Sequence, residues 1–89
     1  MNPYVKTVTA LDNYRLALVF ENGEERIFDV KPYLQRGVFA QLENLARFRA
    51  VRVVAGSVEW PGELDLSYDT LYLESRPAPA QPETASALA

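Results

Sequence analysis

The chain contains no cysteine and no histidine. The first absence excludes a disulfide framework, thiolate metal ligation and any cysteine nucleophile. The second removes imidazole, the commonest general base and transition-metal ligand. Only carboxylates are left to hold a metal, and Glu59, Glu63, Asp65 and Asp69 do not follow the spacing of a calcium-binding loop. Glycine is scarce. Gly23, Gly37, Gly56 and Gly62 stand alone, so none belongs to a phosphate-cradling loop. Ser57 and Ser67 have no histidine to activate them. These absences predict a protein with no catalytic residues, no metal and no cofactor. No apolar run approaches the roughly 20 residues of a membrane span. The segment Met1–Lys6 lacks the apolar core of a signal peptide. A cytoplasmic location without membrane contact is the default expectation.

What remains is enough for one small domain. Of 89 residues, 48% are hydrophobic, which excludes wholesale disorder. The formal charge of −3 argues against sequence-independent nucleic-acid binding, but the charge is unevenly placed. Lys31, Arg36, Arg47, Arg49 and Arg52 face only Glu43 in their part of the chain. Glu59, Glu63, Asp65, Asp69 and Glu74 follow with no base among them.

Apolar alternation predicts strands over Tyr4–Leu11, Tyr14–Phe20 and Glu25–Val30. Asp12-Asn13 and Asn22-Gly23 supply the turns between them. In the third strand, Ile27 is expected to face the core, with Phe28 and Val30 on the opposite side. Asp29 and Pro32 open a helical bridge. Val38, Phe39, Leu42, Leu45, Ala46 and Phe48 recur at helical spacing. They predict two short helices, Val38–Glu43 and Leu45–Arg49, with Asn44 capping the second. Val51–Val54 and Val58–Trp60 form a hairpin around Ala55-Gly56-Ser57, and Pro61 stops it. Ser67 caps a helical turn that includes Thr70 and Leu71. The fold class is α+β: an antiparallel meander of three strands, two short helices, then a β-hairpin and a short helical turn. The helices are expected to cover one face of a five-strand sheet. The domain runs over 1–76. Residues 77–89, rich in proline and alanine, are expected to be a disordered tail.

The most distinctive stretch is Ser57–Tyr72. It carries the sole tryptophan followed by proline, and four carboxylates. Trp60, Glu63, Asp65, Asp69 and Tyr72 are the candidate interaction surface. Trp60 reads either as a core plug or as an exposed anchor, and the core is the favoured reading.

One ordered set of residues covers nearly the whole domain. It comprises Pro3 with Val5; Tyr14-Arg15-Leu16 with Val19-Phe20; Asn22-Gly23-Glu24; Phe28-Asp29-Val30 with Leu34; Phe39 with Leu42; Phe48, Val51 and Val53; then Val58, Trp60-Pro61, Asp65-Leu66 and Asp69-Thr70-Leu71-Tyr72. In this order the chain resembles the bacterial family catalogued as domain of unknown function 2442. It departs from the family at Gly62-Glu63-Leu64, where members often carry Asn-Gly-Ala, and at Tyr68, where proline is common. The resemblance implies a small α+β domain. Members occur alone or joined to a helix-turn-helix domain, and some are encoded beside another small protein, in an arrangement similar to toxin–antitoxin pairs. It implies no catalytic residue.

The expected function is therefore a non-enzymatic protein-interaction or regulatory module, the antitoxin-like half of a two-protein unit. Its partner is the product of a neighbouring gene, and the acidic run favours a basic one. A homodimer through a sheet edge or face is the expected self-association. The alternative is a DNA-associated transcriptional regulator. Arg47, Arg49 and Arg52 with Phe48 are the residues that would meet phosphates, although direct nucleic-acid binding is not expected without a separate DNA-binding domain.

Overall fold

Two antiparallel sheets share one core, and short helical segments fill the space between them. The structure, a computed structural model, describes residues 1–79. The expected tail over 77–89 lies outside the described residues from position 80 onward. The first sheet has the strand order β1 (Val5–Leu11), β2 (Arg15–Phe20), β3 (Glu25–Asp29) and β7 (Arg76–Pro77). The second is built from β4 (Arg52–Val54), β5 (Ser57–Trp60) and β6 (Leu64–Leu66). Two α-helices are present, α1 (Leu45–Phe48) and α2 (Tyr68–Glu74), together with 3-10 segments at Asp12–Tyr14, Lys31–Tyr33 and Gly37–Glu43. The α+β class matches the expectation and the element order does so roughly, with two strands, β6 and β7, beyond those expected. The single five-strand sheet does not: the helical segment between β3 and β4 separates the strands into two sheets.

The meander forms as its turns dictate. Between β2 and β3, Gly23 takes φ 89° and Asn22 Oδ1 accepts from the Glu24 amide at 3.0 Å. Between β1 and β2, Asn13 and Tyr14 both adopt the left-handed region, at φ 62° and 57°. That conformation is costly for a tyrosine. Three contacts hold it: the Val30 amide donates to the Tyr14 carbonyl at 2.8 Å, the Tyr14 hydroxyl donates to the Glu43 carbonyl at 2.5 Å, and the ring packs edge-on against Phe48.

Two details of strand facing correct the sequence reading. A bulge at Lys6 shifts the register of β1, pairing Val5 with Phe20 but Val8 with Leu18. Val5, Val8 and Ala10 therefore share the inner face, which strict alternation forbids. In β3, Phe28 lies directly opposite Leu16, and Ile27 opposite Ala17. Phe28 and Val30 are thus core residues, and Ile27 is buried on the other side of the sheet. Alternation within one strand defines two faces but cannot say which is inner; pairing with the neighbouring strand decides it.

The second sheet turns Val53, Val58 and Leu66 inward in one row and Trp60 with Leu64 in the next. Its outer face carries the row Arg52, Glu59 and Asp65. The β4–β5 turn places Ala55 and Gly56 at φ 51° and 83°, a two-residue hairpin connection. Gly56 then fastens the two sheets together. Its carbonyl accepts from the Val5 amide at 2.8 Å, and its bare Cα lies so close to Tyr4 that a Cβ would stand 2.7 Å from the ring.

The helical segments behave differently from the sequence prediction in one respect. Gly37, at φ 48°, begins the third 3-10 segment. Leu42 in this segment and Phe48 in α1 point into the core, while Val38 and Leu45, from the same two elements, point outward. Both caps form as read: Asn44 Oδ1 accepts from the Arg47 amide at 3.1 Å and Ser67 Oγ from the Thr70 amide at 3.3 Å. β7 holds the chain end after α2, with the Ala78 amide donating to the Glu25 carbonyl at 2.8 Å.

Candidate functional site

The five candidate residues of the Ser57–Tyr72 stretch do not converge. Trp60 is 1% exposed and sits among Phe48, Val58 and Leu64 in the core. Its indole N–H donates to the Phe48 carbonyl at 2.9 Å, so its polar edge is satisfied as well. This side chain closes the interior beneath α1 and offers nothing to a partner. Pro61, held after Trp60, ends β5, and Gly62 and Glu63 reverse the chain at φ 96° and 64°.

Glu63, Asp65 and Asp69 are exposed. Asp65 lies directly across from Glu59 on the outer face of the second sheet. Glu59 is in turn paired with Arg52, Nη2 to Oε1 at 2.8 Å. Asp69 occupies the first turn of α2 and accepts from the Asn2 side-chain amide at 2.9 Å. Its negative charge raises the pKa of the adjacent Tyr68 phenol, and partial burial and Tyr4 push in the same direction. Among the described residues no three carboxylates approach closely enough to hold a metal ion.

Tyr72 is half-buried and joined to the scaffold. Its hydroxyl donates to Glu24 Oε1 at 2.8 Å, and its ring meets Phe20 edge-on with the Arg26 guanidinium 4.9 Å from its centre. Arg26 also donates to Glu24 and to both the side chain and carbonyl of Ser75, at 2.7 and 2.8 Å for the latter two. The bond to Glu24 raises the Tyr72 pKa first, with burial and the Glu24 charge adding to it. On the other side of α2, the Tyr33 hydroxyl donates to Glu74 Oε1 at 2.6 Å, beneath the Arg36 guanidinium. Burial, then this bond, hold the Tyr33 phenol above its ordinary pKa. Helix α2 is therefore tied by two tyrosine–carboxylate bonds, one to the β2–β3 hairpin and one to the Lys31–Tyr33 segment. Neither bond has a local sequence signal, because their partners are 48 and 41 positions apart.

The sequence reading also missed part of the exposed surface. Val38 and Leu45 stand open to water, at 61% and 46% exposure, beside Arg36, Arg47 and Arg49. Helical spacing assigned both to the core; Val38 turns outward near the start of the 3-10 segment and Leu45 at the first residue of α1. Phe48, grouped with these arginines as a possible phosphate contact, is fully buried, and Arg52 is engaged by Glu59.

The family described as Protein of unknown function (DUF2442) matches residues 5–77. The chain belongs to this family. No curated protein matches it, and no solved structure does. The matched span begins at the first residue of β1 and ends at the last of β7, so it takes in both sheets and the β7 pairing. Among the described residues, no helix is long and apolar enough to cross a membrane.

Proposed function

We propose that this member of the family is a non-enzymatic protein-interaction or regulatory module, the antitoxin-like half of a two-protein unit, working without metal or cofactor. The observation that supports the reading is the exposure of the carboxylates Glu63 and Asp65, on the turn and strand that follow the buried Trp60, with Asp69 exposed on α2. A preorganised surface of one charge fits a partner of the other, and accelerates its encounter at low salt. The partner is a basic protein, the product of a neighbouring gene. Trp60 contributes by supporting this surface from beneath.

Co-expression with the neighbouring gene's product, followed by size-exclusion chromatography, tests the reading. A co-eluting complex that weakens in Glu63→Lys/Asp65→Lys/Asp69→Lys is the expected result. Separate elution with the neighbour, together with no specific capture from native lysate, would sink it. The exposed Arg47 and Arg49 favour a second reading, a DNA-associated regulator. A mobility shift on the gene's own promoter would establish that reading in place of the first.

A further inference from the structure

The surface between β3 and β4 combines exposed apolar side chains with unbalanced positive charge. Val38 and Leu45 stand in water while Leu42 and Phe48, from the same segments, are fully buried. Within a 3-10 segment, residues three apart eclipse one another, so Val38 shares a row with Gln41. The Arg47 guanidinium reaches back to that row and donates to Gln41 Oε1 at 2.9 Å. Arg36, Arg47 and Arg49 are all exposed here, and the only acid from Lys31 to Ala50 is Glu43.

An acidic surface borders this one. Gln41 Oε1 lies 3.6 Å from the position a Cβ on Gly62 would take, so the Pro61–Glu63 turn runs alongside the 3-10 segment. Glu63 follows at once, and Asp65 continues the negative surface toward Glu59. The chain thus presents a basic, partly apolar patch and an acidic patch side by side. Two such surfaces related by a two-fold axis complement each other twice, since each copy's basic patch meets the other's acidic one.

We propose that a second copy of this chain docks on this surface, with Val38 and Leu45 excluded from water at its centre. Arg47 and Arg49 of each copy face Glu63 and Asp65 of the other. The proposal rests on the interaction-module reading and names one of the contacts such a module makes. Apolar contact supplies the attraction, while the charges set orientation and encounter rate. Because the ion pairs lie near the rim and remain hydrated, each contributes little by itself. The dimer is therefore of modest affinity and sensitive to salt. It also covers Glu63 and Asp65, so a basic partner binding there competes with the second copy.

Sedimentation equilibrium of the full chain, at about 0.05 M and about 1 M salt, reads the proposal directly. A dimer at ~100 µM chain that weakens at least ~10-fold at high salt is expected. Arg47→Glu/Arg49→Glu and Glu63→Lys/Asp65→Lys should each be monomeric and folded, since all four side chains are exposed. Mixed in equal amounts, the two variants should restore a dimer, because each altered patch then meets its complement. Leu45→Glu should weaken the wild-type dimer without changing its circular dichroism. A wild-type monomer at low salt overturns the proposal, and so does a folded pair of charge variants that fails to associate on mixing. A monomer that still binds the neighbouring gene's product overturns the second-copy contact alone and leaves the interaction reading standing. A monomer that binds no protein and shifts promoter DNA overturns both.

Discussion

Replacing Trp60 tests whether the core and the candidate surface have been told apart correctly. The indole is 1% exposed, and its N–H is bonded to the Phe48 carbonyl. Trp60→Ala removes a full aromatic side chain from a packed interior, at a cost of about 3–5 kcal/mol. At ~0.05–0.15 kcal/mol per residue, a chain of this length has about 4–13 kcal/mol of stability in total. The alanine variant should therefore lose from about a quarter to all of its stability. Trp60→Phe is the more informative change. It keeps an aromatic ring but leaves the Phe48 carbonyl without its donor and the site under-filled, about 2–4 kcal/mol together. With an m-value of about 1 kcal/mol/M in urea, the midpoint should fall by ~2–4 M. The loss of the only tryptophan abolishes the fluorescence signal, so the transition is followed by far-ultraviolet circular dichroism. In the wild type, emission should be blue-shifted and poorly quenched by iodide. A midpoint shift below ~0.5 M for Trp60→Phe, or water-like emission in the folded state, would refute the burial argument and return Trp60 to the interaction surface.

Four further outcomes are expected. Tyr33 and Tyr72 have phenol pKa values raised in the folded state, so their contribution is fully present below the unfolded value of about 10 and is lost as pH rises through the folded value. Urea midpoints should hold from neutral pH to about 10 and fall above it, with a shallower fall in Tyr33→Phe/Tyr72→Phe; parallel profiles would refute the linkage. Gly56→Ala should cost about 1–3 kcal/mol by thermal or chemical melting, because a Cβ meets Tyr4 at 2.7 Å in a left-handed backbone. In a Tyr4→Gly background the same change should cost only the backbone strain of ~1 kcal/mol. Ending the chain after Ser75 removes β7 and the Ala78–Glu25 bond, and should lower stability by about 1–2 kcal/mol; an unchanged melting temperature would show that β7 is dispensable. Thermal melts with and without chelator should coincide, and stabilisation by micromolar Ca²⁺ or Mn²⁺ would reveal a carboxylate site.

Much of the architecture was legible because its signals are local. The Asn22-Gly23 and Ala55-Gly56 turns, the caps Asn44 and Ser67, and the stop at Pro61 each act through bonds or dihedral limits spanning a few residues. So did the family, through residues spread in order over the whole domain. Facing was less legible. The bulge at Lys6 breaks the period of two in β1 without a mark in the sequence, and the inward turn of Phe28 depends on its pairing with Leu16. Val38 and Leu45 fit one apolar helical spacing but stand near the starts of two separate elements, a 3-10 segment and α1, so a single continuous period does not set their facing.

The candidate site divides along the same line. Sequence by itself determined the charge of each segment, the absence of imidazole and thiol side chains, and the class and approximate order of the elements, since these depend on residue type and near neighbours alone. Only the tertiary structure decided that Trp60 is interior, that Tyr72 and Tyr33 tie α2 to segments more than 40 positions away, and that the acidic turn at Glu63 borders the basic segment of Arg47. Those facts depend on which distant segments meet. Such meetings are selected by packing the whole core at once, and no local window of the chain encodes them.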